Sequence, residues 1–215
     1  MTKQKAEHYY TEIPVSFSNK SSYNDTLLGE EFTFFTDHGV FSRNHTDTGT
    51  KELLEAVDLT REYGTILDLA CGVGIIGITL GRVLKNAKIV MTDINQRAVL
   101  LARENALLNK IKATVYQGDA LASLSKDDKF DLILTNPPIR AGKSQNFQML
   151  FEASDYLNTG GYIYVVVRTK QGADSFKREM DSIYGNVIQA GQGSGFKVFC
   201  SEKIDENDQY KLETK

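Results

Sequence analysis

Along most of the chain, short apolar runs alternate with longer stretches of helical period. Thr65–Leu69 (TILDL), Lys88–Thr92 (KIVMT), Ala113–Gln117, Phe130–Thr135 (FDLILT) and Tyr162–Val167 read as strands. Between them, Ile75–Leu84, Gln96–Leu108, Ser144–Leu157 and Gly172–Tyr184 read as helices. Gln96–Leu108, for example, puts Ala98, Leu101, Ala102 and Ala106 on one face. Tyr162–Val167 is almost wholly apolar, as expected of a strand buried on both faces. Repeated strand–helix–strand units predict a parallel sheet with helices on both sides. Two last strands, Val187–Ala190 and Phe196–Ser201, flank GQGSG and are expected to pair as a hairpin at the sheet edge.

The first 48 residues follow another pattern. Glu31–Thr36 alternates Phe32 and Phe34 with polar neighbours, and Asp37-His38-Gly39 predicts a turn into Val40-Phe41, hence a hairpin. A threonine-capped helix is expected from Thr48 or Thr50, with Leu53, Leu54 and Val57 on one face. The organisation expected is an extension over residues 1–48 packed on the core, an α/β domain over 49–201, and a frayed polar tail over 202–215.

Composition narrows the class. A chain of 215 residues suits one domain with a small appendage, at about 150 residues per domain. It is long enough to bury about 70% of its unfolded surface without a staple. With 41% apolar and 25% charged residues, wholesale disorder is excluded. No apolar run approaches the roughly 18 residues of a membrane span, and the start has no apolar leader core. The two cysteines, Cys71 and Cys200, lie in no metal-like or redox-like spacing, which suggests a reducing, cytoplasmic setting. His8, His38 and His45 have no ligand-like spacing, so no metal is expected. The expected state is a monomer, with a dimer left open.

The chemistry begins at ILDLACGVGIIG. Gly72, Gly74 and Gly77 form a glycine loop between a strand and a helix, where backbone amides can face an anionic group. Such glycines also serve tight packing. Asp93 ends the next strand 19 residues after Gly74, where a carboxylate can accept from both hydroxyls of a ribose. It can equally cap the helix that follows. Gly118-Asp119-Ala120 ends the third strand, and Asp119 can accept from an adenine amine or merely stabilise a turn. These features suit a nicotinamide cofactor as well as S-adenosylmethionine. Asp68 favours the latter, because it can meet a cationic amino group and would repel a pyrophosphate. Cys71, inside the loop, reads as a small filler rather than a nucleophile.

Two of the three prolines are adjacent, in Asn136-Pro137-Pro138-Ile139 after FDLILT. They terminate a strand, since neither offers a donor. They also suit a specific chemistry. The Asn136 side-chain carbonyl and the Pro137 backbone carbonyl can accept the two hydrogens of an exocyclic NH₂ group and orient its lone pair. Arg140 and Lys143, with Arg168 and Lys170 near the next strand end, are candidate phosphate contacts or simply solvated charges.

On these residues the chain resembles a class I S-adenosylmethionine-dependent methyltransferase. More narrowly, it is similar to the small-domain family that contains the bacterial small-subunit rRNA guanine-N2 methyltransferase C. The markers are HYYTEIP, FTFFTDHGVFSRNHTDTGT, ILDLACGVGIIG, MTDIN, QGDAL, LTNPPIRAGK and RTKQGADSF. NPPIRAGK and TKQGA are closer to the stand-alone, single-domain members. The resemblance implies a Rossmann-like fold with a seven-stranded, mostly parallel sheet whose last strand is antiparallel. It implies a cofactor site formed by Asp68, Ala70, Gly72, Gly74, Asp93, Ile94, Gly118, Asp119, Ala120, Asn136 and Thr50. It places Asn136, Pro137 and Pro138 at the target amine, and Phe41, Ile139, Arg140 and Lys143 toward the substrate. The implied partner is structured RNA, rRNA or a ribosomal subunit. Ala70 stands where a glycine is common, with room still left for close backbone approach. Ile139 replaces an aromatic residue that would stack on a base, so stacking would fall to Phe147 or Phe41, or be absent. A protein glutamine amide and adenine N6 are alternative targets for the same chemistry, and an idle S-adenosylmethionine- or nucleotide-binding module is another.

The overall charge of −3 argues against a broad grip on nucleic acid. Residues 61–200, however, hold 17 basic and 13 acidic side chains, a net +4, and the acidity sits in the two ends. That modest excess suits a structured target.

Overall fold

The computed structural model describes residue 12 and residues 17–41 and 44–205. In chain order the elements are β1 (Ser21–Leu27), β2 (Glu30–Thr36), α1 (Thr48–Ala56), β3 (Thr65–Leu69), α2 (Ile75–Val83), β4 (Lys88–Asp93) and α3 (Gln96–Leu108). Then follow β5 (Ala113–Gln117), β6 (Phe130–Thr135), α4 (Lys143–Tyr156), β7 (Leu157–Arg168), α5 (Ala173–Tyr184), β8 (Ile188–Gly193) and β9 (Phe196–Glu202). One sheet holds seven strands in the order β5-β4-β3-β6-β7-β9-β8. Neighbours from β5 through β7 are parallel, and β9 is antiparallel to both β7 and β8. The Rossmann-like sheet and its terminal hairpin are therefore as the alternation predicts.

Side-chain alternation sorts the sheet into two cores. Ile66, Ile89, Leu132 and Val166 face α1, α2, α3 and the β1–β2 hairpin. Leu67, Ile133, Val165 and Phe199 face α4 and α5. The central strands are apolar on both sides because both sides are covered.

The N-terminal hairpin corrects one expectation. β2 pairs with the preceding segment β1, not with Val40-Phe41, and the turn is Leu28-Gly29, both at positive φ (50° and 80°). Asp37-His38-Gly39 has another task. The Asp37 carboxylate accepts from the Ser18 hydroxyl at 2.6 Å and from the Asn19 and His38 amides at 2.5 and 2.6 Å. The α1 cap is also corrected: it is Asp47, whose carboxylate accepts from the Gly49 amide at 2.9 Å, not a threonine. The frayed-tail expectation for residues 206–215, most of HYYTEIP including His8, and Ser42 lie outside the described residues.

Two buried asparagines one turn apart, Asn105 on α3 and Asn109 capping its C-terminal end, dock the hairpin. Asn105 accepts from the Phe35 amide at 2.7 Å and donates to the Phe35 and Val73 carbonyls at 3.0 and 2.9 Å. Asn109 accepts from the Thr33 amide at 3.2 Å and donates to the Thr33 carbonyl at 2.9 Å. The free edge of β2 thus meets side-chain amides instead of another strand. No helix among the described residues is long and apolar enough to cross a membrane.

Asp68, on β3, is fully buried and accepts from the Gly77 amide in α2 at 2.8 Å, while its Oδ1 has no partner among the described residues. Burial pushes its carboxyl up to about 7, opposed by the Gly77 amide and reinforced by Asp93. The native state therefore binds this proton more tightly than the unfolded chain, so stability falls as pH rises from about 4 to 7. Asp68→Asn keeps an acceptor for Gly77 and removes the charge. Urea unfolding is expected to show it more stable than the parent at pH 8, by on the order of 2–4 kcal/mol, with the gain vanishing near pH 4. An equal difference at both pH values would contradict this account.

Candidate active site

The carboxyl ends of β3, β4, β5 and β6 open into a cleft of about 650 Å³. It is lined by Ala70 and Gly72 from the loop after β3, and by Thr92, Asp93 and Ile94 at the end of β4. Asp119 and Ala120 follow β5, and Asn136, Pro137 and Pro138 follow β6. Ala98, Met149 and Phe41 complete it. A pocket of about 300 Å³ adjoins it, sharing Phe41, Ala70, Gly72 and Asn136 and adding Thr50 and Cys71.

The glycine loop is shaped by strand-end carboxylates. Asp93 accepts from the Gly72 amide at 2.7 Å and from the Asn95 amide at 2.8 Å. Burial pushes its carboxyl up to about 6, against the pull of those two amides. Gly72 has φ +56°, and a Cβ there would meet nothing closer than the Phe41 Cβ at 4.0 Å, so its open side faces the cleft. Gly74 serves packing. It caps α2 at φ +87°, and a Cβ would come within 3.1 Å of Ile78 and Met91. Ala70 and Ala120 also hold left-handed φ, +60° and +47°, so two non-glycine residues are strained at the cleft wall. The Cys71 thiol is pushed well above its ordinary range by burial, which suits a filler and not a nucleophile.

Asn136 is fixed from a distance. Its Nδ2 donates to Asp47 Oδ2 and to Thr50 Oγ1, both at 3.1 Å. The amide hydrogens are thereby used on the α1 side, and Oδ1 is left as an acceptor. No described residue donates to Oδ1 or to the Pro137 carbonyl. Asp47, the acid of DTGT, is the side chain at this end of the site that the sequence pattern does not single out.

The sequence-derived candidates divide. Phe41, Ala70, Gly72, Asp93, Ile94, Asp119, Ala120, Asn136, Pro137 and Pro138 line the cleft, and Thr50 lines its annex. Asp68, Gly74 and Gly118 stand behind the wall: Asp68 holds α2, and a Cβ on Gly118 would lie 2.6 Å from Ser123. Ile139 packs against the α4–α5 core instead of the cleft. Arg140 is exposed, and Lys143 donates to Ser175 Oγ in α5 at 3.5 Å. Phe147 packs edge-on against Phe176 at 5.2 Å, which leaves Phe41 as the one aromatic among the described residues lining the cleft. Thr92, Ala98 and Met149 line it without a distinctive local signal.

The chain is similar to known proteins. The chain is 36% identical over 200 residues to the uncharacterized protein YbxB of Bacillus subtilis (strain 168), covering 93% of this chain and 100% of that one. It is 33% identical over 182 residues to the ribosomal RNA small subunit methyltransferase C of Haemophilus influenzae (strain PittGG), covering 83% of this chain and 53% of the relative. A solved structure, the T. Thermophilus 16S rRNA N2 G1207 methyltransferase (RsmC) in complex with AdoMet and guanosine, superposes with a TM-score of 0.78 at 25% identity, over 88% of this chain and 52% of that one. The chain thus spans about half the length of the rRNA methyltransferases it matches. Residues 31–200, from β2 to β9, match the family model for the methyltransferase small domain, and the chain belongs to that family.

Proposed function

We propose that this protein transfers the methyl group of S-adenosylmethionine to the exocyclic N2 amine of a guanine in ribosomal RNA. The observation that carries the reading is the Asn136 carboxamide, held by Asp47 and Thr50 with its oxygen available beside the Pro137 carbonyl. The choice of guanine is supported by the rRNA N2 methyltransferase that this chain resembles.

The residues present fit the cofactor. Space lies over Gly72, Asp93 lines the cleft, and each Asp93 oxygen accepts one amide and keeps a lone pair for a hydroxyl. Beneath the loop, the Asp68 carboxyl, when ionised above about pH 7, adds negative potential that suits a cationic methionine end. Asp119 stands beside Ala120 at the wall that would take the adenine. When bound, S-adenosylmethionine supplies an electrophilic methyl carried on a sulfonium.

An aromatic amine is a poor nucleophile, because its lone pair is delocalised into the ring. Asn136 Oδ1 and the Pro137 carbonyl accept its two hydrogens and turn the lone pair toward the methyl donor. Phe41 offers the base a ring to stack on, in place of the residue that Ile139 replaces. Positioning and electrostatics supply the acceleration.

Methyl-labelled S-adenosylmethionine, offered with under-modified small subunits, free rRNA, DNA and protein extract, tests the reading. After digestion to nucleosides the label is expected in N2-methylguanosine. Label confined to protein, or to adenine N6, would overturn it. In the same assay Asn136→Ala is expected to lower kcat by about 100-fold while S-adenosylmethionine affinity holds. Asp47→Ala is expected to lower kcat with KM unchanged, and Asp47→Asn to restore it, because an asparagine oxygen can accept from both Gly49 and Asn136. Unchanged turnover in Asn136→Ala would refute its role.

A further inference from the structure

We propose that the trough between the C-terminal ends of α2 and α3 is a second RNA-contact surface, gripping phosphates at the end of the sheet opposite the cleft. This deepens the reading above and rests on it, since the partner is the RNA whose base enters the cleft.

The trough is a broad depression open to solvent. Its cationic lining is Arg82, Lys85, Lys88, Arg103, Lys110 and Lys112, and no carboxylate lines it among the described residues. In a chain of net charge −3, that is a strong local separation of charge. The two guanidiniums are anchored: Arg82 donates to the Asn109 carbonyl at 2.8 Å and lies 3.6 Å from Glu30, and Arg103 donates to the Val115 carbonyl at 2.6 Å. Lys85, Lys88, Lys110 and Lys112 are exposed, and none makes an ion pair or side-chain hydrogen bond with a described residue.

Helix polarity alone does not account for this set. Cations near helix C-termini offset the macrodipole, which would explain Lys85 and Lys110. Lys88 begins β4 and Lys112 immediately precedes β5, so neither belongs to a helix end. Lys110 adds a second sign. It sits at φ +59° in a Schellman turn closed by Ile111 N to Ala106 O at 2.8 Å and Lys110 N to Leu107 O at 3.1 Å. Glycine fills that left-handed position with less strain, yet a lysine projects there onto the rim. From Lys88 to Asp93 is one length of β4, about 17 Å, so a folded RNA reaches both ends with a few nucleotides.

The test compares the full chain with a variant carrying Lys85→Gln, Lys88→Gln, Lys110→Gln and Lys112→Gln. A control of equal charge change carries Lys126→Gln, Lys129→Gln, Lys177→Gln and Arg178→Gln. Binding to under-modified rRNA is followed by fluorescence anisotropy between 50 and 200 mM salt, beside calorimetry with S-adenosylmethionine and vesicles of anionic phospholipid. The trough variant is expected to bind RNA about tenfold or more weakly at the low-salt end. Its log Kd is expected to depend on log salt with a slope lower by about 3, at roughly 0.7–0.9 per lost phosphate contact. Cofactor affinity is expected to hold, and the control is expected to match the parent. If the parent methylates rRNA but the trough variant keeps its affinity and slope, the trough proposal fails while the function stands. If the parent neither binds nor methylates RNA, both fail. Loss of vesicle binding with RNA binding intact would assign the trough to a membrane and overturn the proposal.

Discussion

The Asp93 carboxylate, at the end of β4, is the bond on which the site depends. One oxygen fixes the glycine loop through the Gly72 amide, and the other holds the Asn95 amide. Asn95 in turn caps α3 through the Arg97 and Ala98 amides and donates to the Gly39 carbonyl at 2.9 Å. Gly39 lies two residues before Phe41, which covers the cleft. A single carboxylate therefore sets the cleft floor, the next helix and, one residue removed, its cover. Keeping that charge in a nearly buried place is costly, and two amide bonds offset the cost.

A second relay runs from the other side. Asp47 caps α1 and, through the same oxygen, orients Asn136 at the end of β6. The N-terminal region thus supplies a side chain that fixes Asn136 at the cleft. It is held to the α/β core by the Asn105 and Asn109 contacts to β2 and by shared burial of Phe32 and Phe34. Charge is sorted along the sheet in the same economical way. The buried acids Asp68 and Asp93 lie around the glycine loop, and exposed lysines gather at the opposite strand ends.

The sheet and its helices were legible because burial on both faces leaves apolar runs, and amphipathic helices leave a period. The partner of β2 was not. SSYNDTL keeps most of its side chains in solvent and shows no apolar alternation, and its turn places a leucine where glycine or asparagine would signal. Asp37-His38-Gly39 looked like that turn because it has turn chemistry, which it spends on Ser18, Asn19 and the start of α3. At the site, strand-end acids and Asn-Pro-Pro were readable, since strand order places them at one edge. The Asp47–Asn136 bond spans 89 positions and leaves no local pattern. Lys143 was read toward the substrate because it follows Asn-Pro-Pro, and Phe147 was one of two candidates for stacking; the turn of α4 sets Lys143 against Ser175 and Phe147 against Phe176, contacts that span about 30 positions and leave no local pattern.

The cleft around Gly72, Asp93 and Asn136 suits S-adenosylmethionine and not a dinucleotide. Calorimetric titration of the purified full chain with S-adenosylmethionine, and separately with NAD, tests it most directly. Saturable binding of S-adenosylmethionine at one site is expected, weakened sharply by Asp93→Ala, with no binding of NAD. Binding of NAD, or no binding of S-adenosylmethionine by the folded parent, would contradict it.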